Sequence, residues 1–407
     1  ADHLVSSAAP GLPLTTEQQA AAIRIIWAAR LVVLFPMISV GIWFVYIPWK
    51  VASLNLTPLD FSKILLCFAI SSITATQLGG RRLIPRFGAG PLMIAAMCCF
   101  SPCLALAVLA PTYLLMLLAV IPCGFFFGLV APSATAETFR MEKLTGRFLM
   151  PMHSAFFSIG SLVGSVVGGS LLQLEVPAHW VFPIMAGNGM FVSLLLWKIC
   201  LQGERPARTQ APPLRWPDRR VLGFGVLGAL SLSTIGVVLD WSALWLTRDM
   251  LVPMAYGGAI IFAFSLGEIA ARLRGESLIQ RFGEMRIGSH AMILGDVVLL
   301  PAVLSQNPVL IVLVFLFFGF VSANFFLTVM RNAAEIDPEN AGVNIADVNT
   351  LSMAGLLFGP PLVGYIAEHY SITHTMALLA VIWGCNGVGM YFLLRAKQQR
   401  AQHISFA

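Results

Sequence analysis

Apolar runs of about twenty residues recur twelve times along this chain, and that recurrence decides what it can fold into. They lie near 25–49, 59–79, 90–110, 112–134, 150–173, 180–200, 222–246, 254–273, 287–304, 308–330, 345–369 and 375–394. Each is long enough to cross roughly 30 Å of hydrocarbon as a helix. A helix satisfies its backbone groups internally where lipid offers no partners. Composition agrees: 58% of the 407 residues are apolar and 11% charged, against roughly 25% charged in a soluble domain. Too little polar surface exists to coat a water-soluble globule. The expected fold class is an all-α polytopic membrane protein with twelve transmembrane helices.

The sparse basic residues give the orientation. With the N-terminus inside, the even-numbered connections carry Arg81, Arg82 and Arg86, then Arg140, Lys143 and Arg147, then Lys198 through Arg220, then Arg272, Arg274, Arg281 and Arg286. Arg395, Lys397 and Arg400 follow the last span on the same side, while Lys50, Lys63 and Arg248 fall on the other. Lys and Arg concentrate in cytosolic loops, so both termini are expected in the cytosol of a bacterial inner-membrane protein. The net charge of +6 is then a topology signal; membrane lipid is an expected partner and nucleic acid is not.

Residues 1–20 lack a charged start, an apolar core and a cleavage site, and read as a cytosolic tail rather than a signal peptide. The Pro- and Arg-rich stretch 201–221 reads as a cytosolic linker. It separates six-helix bundles expected at 21–200 and 222–395, with a cytosolic tail over 396–407. The seven cysteines fall in or beside apolar runs without zinc-type spacing. They read as small apolar fillers, and no metal or other cofactor is expected.

The two bundles share a pattern. Residues 78–88 (LGGRRLIPRFG) match residues 273–283 (LRGESLIQRFG) at seven of eleven positions, at a constant offset of 195. The same offset pairs Gly41 with Gly236, Pro58 with Pro253, Gly160 with Gly355 and Gly164 with Gly359. Two parallel six-helix repeats suit alternating access around a central site. A twelve-span chain with a G-x-x-L-I-x-R-F-G loop in both halves resembles the major facilitator superfamily of secondary transporters. The resemblance covers essentially the whole chain. Within the superfamily it looks most like the YbjJ-like bacterial permeases, on Asp240-Trp241-Ser242-Ala243, on the stretch 153–160 (HSAFFSIG) and on the stretch 359–364 (GPPLVG).

The resemblance implies that the paired loops latch the halves together on the cytosolic side. Arg272 and Glu276 stand i,i+4 and are able to pair, with Arg281 at the turn. The first copy keeps Arg86 but has Pro85 where the family usually has Asp, so its latch is weaker or uses another carboxylate. These arginines also read simply as topology markers. Ionisable groups inside spans are costly and are functional candidates by default. Asp240 lies in span 7, which lines the cavity in the resembled family; it would bind a cationic or hydroxylated substrate, titrate with a driving proton, or serve as a structural helix-end carboxylate. Trp241, Ser242 and Trp245 would supply aromatic walls and a hydroxyl. Related permeases often carry a Glu five residues earlier, where this chain has Ile235.

Spans 5 and 8 pack together across the halves in this architecture. His153 and Glu268 are therefore expected to approach one another as a proton-sensitive inner gate, or else to have separate partners. Asp347 opens span 11 and either takes part in gating or favours a helix N-terminus. Trp43 and Tyr46 in span 1, with Asn324 and Thr328 in span 10, complete the candidate cavity groups, with helix packing as their alternative role. No phosphate-binding loop and no HExxH-type spacing is present, so neither ATP-driven transport nor membrane enzymology is expected. The functional expectation is a monomeric secondary transporter that moves a small organic solute by alternating access, with proton-coupled uptake as the first reading. Proton-antiport efflux of amphiphiles is the alternative, and a non-transporting receptor or scaffold is the alternative of another class.

Overall fold

In the computed structural model the chain is described over residues 15–147, 149–200, 218–337 and 341–405. Most of the expected 201–221 linker and of the N-terminal tail lies outside the described residues. The twelve expected spans are twelve helices long and apolar enough to cross a membrane. They are α1 (Thr16–Ser53), α2 (Pro58–Leu78), α3 (Ala89–Leu109), α4 (Tyr113–Thr145), α5 (Met150–Gln173), α6 (Ala178–Cys200), α7 (Arg219–Arg248), α8 (Ala259–Phe282), α9 (Ala291–Ser305), α10 (Pro308–Glu335), α11 (Ala341–Ala367) and α12 (Ile372–Ser405).

Several helices outrun their apolar stretches, because hydropathy marks the lipid crossing and not the end of the backbone ladder. α1 begins where Thr15 and Gln18 form a reciprocal capping box, Thr15 Oγ1 accepting from the Gln18 N–H and Gln18 Oε1 from the Thr15 N–H. α4 continues through good helix formers to Gly146, whose left-handed φ of 65° closes it. Asn307 caps α10 by accepting from the Val309 and Leu310 N–H groups.

The helices form two compact units, Ala1–Leu56 with Lys63–Ala211, and Thr57–Ser62 with Pro212–Ala407. The repeat seen in the sequence is a repeat of packing. In the first unit α1 lies against α5, with Gly41 and Gly164 backbone to backbone and Gly160 against Met37 and Leu34. In the second, α7 lies against α11 through the counterparts: Gly236 against Leu356 and Pro360, Gly355 against Ala229, and Gly359 against Ser233. Without side chains at these points the helices come closer than larger residues allow. Pro360 removes the N–H that would serve the Leu356 carbonyl, and this is the carbonyl that faces Gly236.

The paired loops show both the likeness and one difference. Gly88 and Gly283, 195 residues apart, have φ of 86° and 85°, and each N–H closes its helix onto Ile84 or Ile279 at 2.8 Å. In the first copy a π turn (Gly79–Leu83) precedes the short helix Ile84–Phe87; Pro85 cannot donate to an α ladder, and the wider turn absorbs the missing bond. The second copy has Gln280 there, so α8 runs unbroken to Phe282, and its π turn (Met285–His290) comes after the glycine.

Candidate functional site

Around Asp240 the second unit is tightly packed. Trp241 and Trp245 are fully buried. The Trp241 indole N–H donates to the Pro360 carbonyl at 2.9 Å, and its ring meets Phe61 edge-on at 5.3 Å. Ser62 Oγ donates to the next carbonyl, Pro361, at 2.6 Å, and the Leu59 N–H donates to Glu368 at 2.9 Å. The Trp245 N–H donates to Thr373 Oγ1 at 2.9 Å, and Thr373 donates through both N–H and hydroxyl to Asp249 Oδ2 at 2.8 Å. Both indoles thus bind α7 to its neighbours. Ser242 is buried with its hydroxyl unpartnered, and Asp240 is half-buried with no hydrogen bond or ion pair among the described residues.

The α10 and α1 candidates also sit in packed surroundings. Asn324 donates to the Phe320 carbonyl and Thr328 to the Asn324 carbonyl, both on their own helix. Their side chains fill the spaces opposite Gly275 and Gly288. Tyr46 is buried between Trp49 and Phe182, with its hydroxyl donating to Val176 at 3.4 Å; Trp43 is half-buried.

Among the gating candidates, His153 is buried on α5 with Nδ1 at 3.1 Å from Thr138 Oγ1 of α4, and its Nε2 has no partner. Glu268 is buried on α8 and accepts from Arg272 at 3.2 Å. Glu276 instead meets Arg331 of α10 at 3.1 Å and Gln280 at 3.1 Å. Arg86 and Arg281 lie over the neighbouring Phe87 and Phe282 rings, each at 5.3 Å. Asp347 lies in the second turn of α11, beyond its N-terminus at Ala341, with Oδ2 buried and unpartnered.

Three groups escaped the sequence reading. The first is a charge network in the second unit. Arg331 meets Glu276, Glu284 and Glu335 at 3.1, 3.1 and 3.6 Å, and Lys397 meets Glu284, Glu335 and Asn332 at 3.4, 2.6 and 2.7 Å. It ties the ends of α8, α10 and α12 together. The second is Glu137 on α4, buried and paired with Arg140. The third is Arg30 on α1, whose guanidinium lies 5.3 Å from the Trp27 ring centre and 5.7 Å from that of Phe156. A charged residue five positions into an apolar run was its signal. Among the described residues no group of three or more His, Cys, Asp or Glu is placed to hold a metal.

No family model matches the chain. It is 26% identical over 378 residues to an uncharacterised MFS-type transporter of Yersinia pestis, covering 92% of this chain and 94% of that one. It is 25% identical to an uncharacterised transporter of Sinorhizobium fredii, covering 81% and 88% of the two chains. Among solved structures, a bacterial homologue of the human lysosomal transporter Spinster aligns with a TM-score of 0.70 at 12% identity, covering 91% of this chain and 96% of that one. The nucleoside transporter NupG aligns with a TM-score of 0.69 at 14% identity, covering 91% and 99%. Its relatives and fold neighbours are transporters, not enzymes. Similarity along nearly the whole chain to a protein named as an MFS-type transporter, and a fold shared with solved transporters, are in keeping with the resemblance to the major facilitator superfamily that the paired loops carry.

Proposed function

We propose that the protein is a proton-coupled uptake system for a small organic solute, working as a monomer in a bacterial inner membrane with both termini in the cytosol. Asp240 carries the coupling part of this reading. It is a carboxyl group within a membrane-spanning helix that no described residue pairs with, and such groups are expensive unless they bind something. Its place on α7, packed by glycine contacts against α11, puts it on one of the two matched helix pairs.

Proteoliposome flux of a solute panel, with and without an inward proton gradient, tests the proposal. The gradient is expected to drive accumulation of at least one solute. Asp240→Asn is expected to abolish accumulation while leaving exchange of that solute across the membrane. Flux that ignores the gradient in the native protein overturns proton coupling; accumulation driven by an outward gradient reverses the direction.

A further inference from the structure

One face of α1 is left incompletely covered: Ile23, Trp27, Arg30, Leu34 and Ile38 follow one another at helical spacing, all half-buried or exposed. Arg30 is the cation on that stripe. Its guanidinium rests against Trp27 and Phe156, whose rings meet edge-to-face at 5.9 Å. Its Nε is buried and unpartnered, and no hydrogen bond or ion pair to Arg30 occurs among the described residues. Three other cations in the helices have partners. Lys50 donates to the Ala110 carbonyl at 2.6 Å, Arg140 pairs with Glu137, and Arg272 with Glu268.

A guanidinium in a membrane-spanning segment needs a counter-charge. Here two aromatic faces hold it in one pose, while its chemistry calls for an oxyanion that accepts two parallel N–H bonds. A second unmet polar group stands nearby. His153 precedes Phe156 by three positions on α5, is buried, and leaves Nε2 without a partner.

We propose that Arg30, positioned by Trp27 and Phe156, is an oxyanion-binding site, and that the transported solutes are organic anions bearing a carboxylate or phosphoryl group. This rests on the transport reading and names its substrate class. A lipid headgroup phosphate offers the same chemistry, so the experiment separates the two sources.

The purified full-length protein would be titrated, in detergent, in nanodiscs of zwitterionic lipid alone and in nanodiscs containing anionic lipid, with succinate, benzoate and a sugar phosphate. Neutral sugars and a quaternary ammonium compound serve as comparison solutes. Tryptophan emission and melting temperature are read together, since Trp27 lies against the binding group and reports occupancy without any flux. One or more of the anions is expected to raise the melting temperature and shift the emission, and the neutral and cationic solutes are not. Arg30→Gln is expected to weaken that anion at least tenfold, and Arg30→Lys to recover part of the loss. Trp27→Phe is expected to remove most of the emission change. The native titration stands even where a variant fails to fold. An anion response that survives intact in a folded Arg30→Gln protein overturns the proposal, as does stabilisation by neutral or cationic solutes alone. A response confined to nanodiscs containing anionic lipid assigns the site to headgroups and overturns it too. Anion binding without any flux leaves this site standing and removes the transport reading instead.

Discussion

At the scale of single residues, the two tryptophans after Asp240 show how a sequence signal changes meaning in a packed structure. Aromatic residues beside an intramembrane acid suggest a cavity wall. Instead the Trp245 N–H, the Thr373 hydroxyl and the Asp249 carboxylate form a chain, and Asp249 also accepts the Thr373 backbone N–H in the first turn of α12. A carboxylate at a helix N-terminus satisfies a donor that the ladder leaves free. Asp249→Ala is expected to cost about 1.5–3 kcal/mol, the range for hydrogen bonds to a charged group. Trp245→Phe keeps most of the ring packing and is expected to lose about 1 kcal/mol, for one neutral hydrogen bond. Thermal or denaturant unfolding of the purified variants measures both, and equal losses would contradict the assignment of Asp249 as the hub. None of this was legible beforehand, because a side-chain chain spanning 128 positions, from Trp245 to Thr373, leaves no local pattern. Arg30 was missed for the opposite reason. Its local signal was present, but a basic residue near the start of a span reads first as a topology marker.

The helices themselves were legible nearly throughout, since length and hydropathy suffice to locate a span. Their ends were not, because capping chemistry and helix formers outside the apolar stretch set them, as at Thr15 and Gly146. The repeat was also legible, and the structure supplies its physical reason: the glycines it aligns are points of backbone contact. Gly355 has the Ala229 backbone where a Cβ would go, and Gly160 has Met37 Cβ and the Leu34 carbonyl. Gly187 has open space. Gly355→Ala and Gly160→Ala are expected to destabilise by about 1–3 kcal/mol each through overpacking. Gly187→Ala is expected to be neutral or to gain up to about 1 kcal/mol from helix propensity. Gly283→Ala adds a different cost. Nothing crowds its Cβ position, but φ of 85° with ψ of 154° is a region that side chains avoid, and the strain is worth about 1–3 kcal/mol. Melting temperatures of the four variants and of their Ser counterparts separate the two mechanisms, because the larger side chain should deepen the packing losses and leave the backbone strain at Gly283 nearly unchanged. A Gly187 variant as damaged as the Gly355 variant would show that helix contact is not the cause.

For the molecule as a whole, the repeat has limits that charge makes visible. Glu276 and Glu284 of the second unit anchor Arg331 and Lys397; 195 positions earlier stand Arg81 and Ala89, with Ala136 opposite Arg331. The first copy therefore lacks these carboxylates, while the arginine common to both loops, Arg86 and Arg281, lies over the neighbouring Phe ring in each. A charge that persists in both copies with no carboxylate bound to it among the described residues has a reason outside ion pairing, and retention of cytosolic loops supplies one. If each of the twelve helices crosses the membrane once, the even-numbered connections, including the basic loops around Gly88 and Gly283, share the side of the N-terminus. This predicts the orientation directly. In a background cleared of its seven cysteines, cysteines placed at Gly146 or Glu284 should resist a membrane-impermeant thiol reagent in intact cells and react once the membrane is opened. Cysteines at Glu175 or Gln306, in the turns at the opposite ends of α5 and α9, should react from outside at once. The reverse pattern would place the basic loops outside, and the arginines would then need another explanation than topology.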